Sequence, residues 1–236
     1  MGLDVYVGSL TRYYSRDWEI IAQQLGRQIG MKVVVERHNE APDAVRDPIV
    51  IREAVLAWRR ALSTGLEAEL ARPLEWDESP ESPYFTDKPG WDCYSDLLLW
   101  AAYEEHPQFN RPDAKVEDFS TDPAYQASNE ESFNSRYPSL LGNLELWLPC
   151  EFSFTFRVED AGGNKAWMGS SVQLLTELRT LNDRTWKADP ATASQWRNTE
   201  SMHGTPLESG GRFAFSILLS LAEKSVLHRL PMKLDY

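Results

Sequence analysis

Four carboxylates and one imidazole form the strongest candidate set for metal chemistry in this sequence. Asp92 and Asp96 are four residues apart and share one face of a helix that begins at Asp92. Such a pair can bind a divalent cation, and Asp4, Glu104 and His106 would complete the site of a carboxylate-metal hydrolase. In the alternative, structural interpretation, Asp92 caps the helix and Asp96 lies in its first turn, where acidic residues are favoured. The structural interpretation is preferred, so no metal and no cofactor is predicted.

The sequence lacks the common catalytic motifs. None of its four histidines lies in an HExxH pair or in another zinc-binding spacing. Gly169-Ser170-Ser171 precedes a predicted helix, whose N-terminus can bind phosphate. The segment is neither a P-loop nor a GxGxxG turn, and ordinary helix capping is the preferred interpretation. With no GxSxG elbow either, the sequence leans against an enzyme.

The negative charge is concentrated in one segment. The chain of 236 residues has a formal net charge of −12. Residues 67–131 contain 17 acidic and four basic residues, for a net charge of −13, so the rest of the chain carries +1. This acidity opposes binding to nucleic acid and to anionic membranes, because both present negative charge. It favours a basic protein, such as a toxin, as the partner.

Eight residues of this segment form the predicted partner surface. They lie in or beside a proline-rich loop, where the aromatic residues have no periodicity that would bury them. Aromatic side chains anchor interfaces, and carboxylates steer a basic partner towards them. The eight residues are Trp76, Asp77, Glu78, Glu81, Tyr84, Phe85, Asp87 and Trp91. The alternative, a solvated loop held on the core by its aromatic residues, stays open.

We therefore expect a non-enzymatic binding protein of the immunity or antitoxin type, whose acidic aromatic segment occupies a basic surface. Two alternatives remain. The first is the carboxylate-metal hydrolase described above. The second is a small-molecule binding module built on a tryptophan-lined cleft, because the chain has nine tryptophans and aromatic platforms bind ligands.

Hydrophobic periodicity predicts an α+β fold, in which an antiparallel or mixed sheet packs with about five helices. Strands are predicted at the N-terminus (2–10), at 32–37, in a hairpin region (144–169) and at the C-terminus (231–236). Helices are predicted at 18–29, from Asp47-Pro48 to 65, at 92–105, from Ser170-Ser171 onwards and at 212–229. Residues 187–211 are predicted to be a loop.

The organisation expected from these elements is one α+β domain over residues 1–236. The acidic part is a loop–helix–loop segment at 67–131. The first and last strands are expected to lie in one sheet, which would close the domain.

Cysteine usage and the absence of targeting signals predict a cytoplasmic protein. Cys93 and Cys150 fit no metal spacing and are expected to be free thiols in a reducing compartment. No secretory signal or membrane span is recognisable. Residues 1–7 (MGLDVYV) and 169–178 (GSSVQLLTEL) resemble segments of small uncharacterised bacterial proteins. The resemblance implies a bacterial cytoplasmic protein and transfers no functional residue.

Overall fold

The structure is a computed structural model that describes residues 2–34, 47–112, 116–198 and 206–236. Within these residues, six strands are formed: β1 (Asp4–Val7), β2 (Phe85–Asp87), β3 (Leu146–Leu148), β4 (Phe156–Glu159), β5 (Lys165–Ser170) and β6 (Met232–Asp235). The same residues form nine α-helices: α1 (Leu10–Ser15), α2 (Ile21–Gln28), α3 (Pro48–Gly65), α4 (Gly90–Glu105), α5 (Pro123–Ser128), α6 (Pro138–Leu141), α7 (Ser171–Arg184), α8 (Pro190–Trp196) and α9 (Leu207–His228).

The strands form one mixed sheet in the order β2-β1-β6-β3-β5-β4. β3 and β5 are parallel, and the other neighbouring strands are antiparallel. β1 pairs directly with β6, with Val5 opposite Leu234 and Val7 opposite Met232. The predicted α+β class, the mixed sheet and the pairing of the first and last strands are confirmed.

Helices cover both faces of the sheet because successive side chains of a strand point to opposite sides. On one face, Val5, Trp147 and Leu234 belong to a core that includes residues of α4, α7 and α9. On the other face, Leu146 and Met168 pack with residues of α1 and α3. The sheet is therefore the middle layer of three.

The contact between α4 and α9 depends on two glycines at the start of α9. Asp96 of α4 is buried against them. A Cβ atom added at Gly210 would lie 2.0 Å from Asp96 Oδ2, and one at Gly211 would lie 3.4 Å from the Asp96 carbonyl oxygen. Gly210 therefore leaves the space that Asp96 occupies, which explains a glycine pair inside a long helix despite its cost in helix propensity.

Several boundaries differ from the sequence predictions. The nine helices of the described residues exceed the predicted five because α1, α5, α6 and α8 were not predicted, and the predicted loop at 187–211 contains α8 and the start of α9. Residues 199–205 of that loop lie outside the described residues. The predicted helix at 18–29 begins only at Ile21. Residues 32–34 form no strand, and the rest of the strand predicted at 32–37 lies outside the described residues.

Two local capping predictions are confirmed, and one is wrong: α4 begins at Gly90 with Pro89 in the N-cap position, so Asp92 lies in the first turn and does not cap the helix. The Asp47 side chain accepts from the Ile49 N–H at the start of α3, with Pro48 in the first turn. The Ser170 side chain accepts from the Gln173 N–H at the start of α7. Ordinary capping, which was preferred over phosphate binding at this position, is thus observed.

Candidate functional site

Glu78 holds the acidic loop, defined here as residues 67–84, on the body of the protein. Its buried carboxylate accepts the backbone N–H groups of Leu10 at 2.9 Å and Thr11 at 2.8 Å, and the indole N–H of Trp76 at 2.6 Å. Leu10 and Thr11 open α1, where backbone N–H groups have no partner within the helix. The helix dipole also favours a carboxylate at this end. Glu78 is therefore a long-range cap of α1.

Three arginines of α1 and α3 bind backbone carbonyls of the acidic loop. Near the end of the loop, Arg12 donates to the carbonyl of Pro80 at 2.7 Å and to that of Ser82 at 2.8 Å. Arg59 donates to the carbonyl of Trp76 at 2.7 Å, and Arg52 to that of Glu78 at 3.2 Å. Charged donors make strong hydrogen bonds, so the backbone of the loop is fixed at several points.

The structure corrects the expectation that the aromatic residues of the predicted surface are exposed. Of the eight residues, Asp77 and Glu81 are exposed, Trp76, Glu78 and Asp87 are buried, and Tyr84, Phe85 and Trp91 are half-buried. Trp76 is buried because Glu78 binds its indole N–H and the Arg59 guanidinium stacks 5.1 Å from its ring centre. These partners are set by tertiary structure, which periodicity does not report.

The exposed carboxylates of the acidic loop lie on this fixed backbone. They belong to Glu67, Glu69, Glu75, Asp77 and Glu81. Asp77 also fixes the turn that follows it, because its carboxylate accepts the Ser79 N–H at 2.8 Å and the Ser82 hydroxyl at 2.6 Å. A partner would therefore meet carboxylates whose positions are largely set before binding.

The acidic segment does not form one continuous surface. Its other exposed carboxylates follow α4 and belong to Glu117, Asp118, Glu130 and Glu131. α4 has 16 residues, which corresponds to about 24 Å along the helix axis at 1.5 Å per residue. The acidic loop precedes α4, so the segment divides into two acidic parts joined through this helix.

The metal-site candidates are distributed along α4 and β1. Asp92 and Glu104 lie 12 positions apart on α4, about 18 Å along its axis. Asp4 forms an ion pair with Lys88 at 3.8 Å, and Asp96 packs against α9. Among the residues described by the structure, no three His, Cys, Asp or Glu side chains are grouped closely enough to hold a metal ion.

Glu104 and His106, at the other end of α4, are occupied by structural contacts. The nearly buried Glu104 carboxylate accepts the Tyr137 hydroxyl at 2.6 Å, pairs with Arg136 at 3.2 Å and receives a further bond from Arg184. The buried His106 ring lies 4.5 Å from the ring of Phe133. Burial alone would raise the pKa of Glu104, but the hydrogen bonds from Tyr137 and Arg184 outweigh it and lower this pKa.

Glu104→Gln should lower the free energy of unfolding near neutral pH by about 1–3 kcal/mol, the range for hydrogen bonds to a charged group. Folding lowers the pKa of Glu104 below its ordinary value of 4.5. The stabilisation by its carboxylate is therefore fully present above pH 4.5 and is lost as pH falls through the folded-state pKa. Urea unfolding near pH 7 and near pH 3 tests this. The exposed Glu130→Gln is the control, and an E104Q deficit that persists undiminished in acid would contradict the prediction.

A polar network behind β6 was not anticipated from the sequence. Lys233 Nζ lies 3.2 Å from Asp160 Oδ2, and the Tyr13 hydroxyl donates to Asp235 at 2.8 Å. Arg16 pairs with Asp235 at 3.5 Å. The sequence contained one signal of this network, the alternation of Lys233 and Asp235 with apolar residues in the last strand. A central strand that is covered on both faces must bury its polar side chains. The network pairs two cations with two carboxylates, as structural networks do.

Comparisons with protein-family models, with curated proteins and with solved structures gave no significant match. Among the described residues, no helix has the length and apolar character needed to cross a bilayer. Cys93 and Cys150 are not joined in a disulfide, as predicted.

Proposed function

We propose that this chain is a non-enzymatic binding protein of the immunity or antitoxin type, whose acidic loop occupies a basic surface of a partner protein. The observation that carries the proposal is the combination of exposed carboxylates, such as Glu75, Asp77 and Glu81, with a loop backbone held by Glu78 and by arginines. The proposed setting is the bacterial cytoplasm. The proposed partner is a basic toxin and not a nucleic acid.

Preorganisation supports the proposal on physical grounds. Ordering a loop during association costs binding free energy, and a loop that is already fixed avoids that cost. Carboxylates on such a loop attract a basic surface over a Debye length and raise the association rate. Trp76 and Glu78, two of the three buried residues of the predicted set, support the loop and would not touch the partner.

The test is binding to a panel of purified basic toxin domains, with pI above about 9, measured by biolayer interferometry. The double variant Glu75→Lys and Glu81→Lys should weaken binding at least about tenfold, because rim charges act mainly through long-range attraction. Raising NaCl from about 50 to about 300 mM should weaken binding of the unaltered protein as well, since salt screens exposed charges. Asp77 is left unchanged in this design because its carboxylate fixes the loop turn.

The control variant is Glu117→Lys with Glu130→Lys, in the second acidic part. It changes the net charge by the same amount and leaves the acidic loop intact. If both double variants weaken binding equally, net charge and not the loop drives it, and the proposal fails. A panel in which no basic toxin binds, or in which binding ignores salt, would also overturn the proposal.

A further inference from the structure

Four aromatic rings form a contiguous group between α4, α7, α8 and α9, which we name the tryptophan cluster: Trp100, Trp186, Trp196 and Phe215. Trp100 and Trp186 stack with their ring centres 5.2 Å apart and an angle of 17° between their planes. The ring of Trp186 makes T-shaped contacts with the rings of Trp196 and Phe215, with ring centres 5.3 Å and 5.1 Å apart. The cluster shares no residue with the acidic loop.

Two arginines border the tryptophan cluster. The exposed Arg111 places its guanidinium 3.8 Å from the ring centre of Trp100, on a ring whose stacking partner is Trp186. Arg212 lies 5.1 Å from the ring centre of Trp196 and also pairs with the half-buried Glu208. Cation–π contacts of this kind stabilise the arginines but leave most of their N–H donors available.

Buried donors of the cluster lack acceptors. The indole N–H groups of Trp100 and Trp186 and the Nε–H of Arg212 are buried, and no described residue accepts from them. Trp100 itself is only 7% exposed. A buried donor without an acceptor is unfavourable and is rare in native proteins.

The buried indoles outside the cluster have acceptors among the described residues. Trp147 donates to the Ser139 carbonyl at 2.8 Å, and Trp18 donates to the Tyr13 carbonyl at 3.3 Å. The indole of Trp76 donates to Glu78. Among the buried indoles of the described residues, unpaired donors are therefore confined to the tryptophan cluster.

We propose that the tryptophan cluster binds a small planar aromatic anion. Stacked indoles supply a planar surface, Arg111 supplies positive charge beside it, and the unpaired donors of the cluster require acceptors, which an anionic group provides. In this arrangement the ligand ring takes the place of the Arg111 guanidinium on Trp100, and Arg111 pairs with the anionic group. The proposal is independent of the acidic loop, so either can fail without the other.

The test follows the nine tryptophan indole N–H signals in a proton–nitrogen correlation spectrum. Trp100→Phe and Trp186→Phe each remove one signal and thereby assign it. The probes are AMP, 4-hydroxybenzoate and 2-naphthoate, with adenosine as a planar neutral control and inorganic phosphate as an anion without a ring. We expect at least one planar anion to shift the Trp100 and Trp186 signals saturably, while the signal of the satisfied Trp147 stays in place.

A variant of an exposed residue keeps the test independent of folding. Arg111→Ala alters an exposed side chain and should weaken binding of the planar anion about tenfold, equivalent to about 1.4 kcal/mol. Saturable shifts that survive this change undiminished would overturn the proposed site. It would equally be overturned if none of the three anions shifted the two signals, or if adenosine and phosphate shifted them as strongly.

Discussion

Glu177→Ala is expected to lower the free energy of unfolding by about 3–5 kcal/mol, because each buried N–H left without an acceptor costs roughly 1–3 kcal/mol and truncation also opens a cavity. Glu177 on α7 is 1% exposed, and its carboxyl accepts the N–H groups of Ser139 at 3.0 Å and Leu140 at 2.9 Å. These N–H groups lie in the first turn of α6, where Leu140 also donates to the Tyr137 carbonyl at 3.0 Å while the Ser139 N–H depends on Glu177. Chemical denaturation measures the loss.

The control for this change is Glu223→Ala on α9. Glu223 is exposed and pairs only with exposed Arg179 among the described residues, so its removal should change stability by less than about 0.5 kcal/mol. Equal effects of the two variants would show that the buried carboxyl does not act as a cap.

The same carboxyl makes the effect depend on pH. Burial raises the pKa of Glu177 to about 8, against the opposing hydrogen bonds from Ser139 and Gln173. A raised folded-state pKa means that its contribution is fully present below the ordinary value of 4.5 and is lost as pH rises to about 8. Relative to Glu177→Gln, which does not titrate, the unaltered protein should lose stability across this interval. A constant difference between the two proteins would contradict the raised pKa.

Local signals in the sequence predicted the fold where the decisive contacts are local. Alternation identified β1 and β6, and Asp47-Pro48 identified the start of α3. The same Asp-Pro pattern begins α5 at Asp122-Pro123 and α8 at Asp189-Pro190, where each aspartate caps its helix. Both helices were missed because they are short and their loops are polar, so periodicity gave no support.

The candidate site was less predictable because its key contacts join distant segments. Composition correctly identified where acidic residues are concentrated, but it did not separate exposed Asp77 from buried Glu78, its neighbour. Glu78 is buried because it caps α1, 67 positions away along the chain. Glu177 is likewise buried because it caps α6. A carboxylate that caps a distant helix has the same local sequence as a solvated one, so only tertiary structure distinguishes them.

The largest effect on the acidic loop is expected from Glu78→Ala. It removes the acceptor of three donors, the N–H groups of Leu10 and Thr11 and the indole of Trp76. We expect a loss of about 3–5 kcal/mol in the free energy of unfolding, since three buried donors lose a charged acceptor. The loop should also become sensitive to chymotrypsin at Trp76, which is buried in the unaltered protein, because its attachment to α1 is broken.

Glu81→Ala is the matched control for Glu78, since it removes an exposed carboxylate from the same loop. It should leave both the unfolding midpoint and the protease resistance of the loop unchanged. Comparing Glu78→Ala with Glu81→Ala separates the two roles of carboxylates in this loop, which are to hold the backbone and to present negative charge. Glu78→Ala retains the exposed carboxylates and releases the backbone that positions them, so binding of a basic partner should weaken through the cost of ordering the loop. Resistance to chymotrypsin that is retained in Glu78→Ala would show that the arginines alone fix the loop, and Glu78 would then be a cap of α1 without a role in positioning the acidic surface.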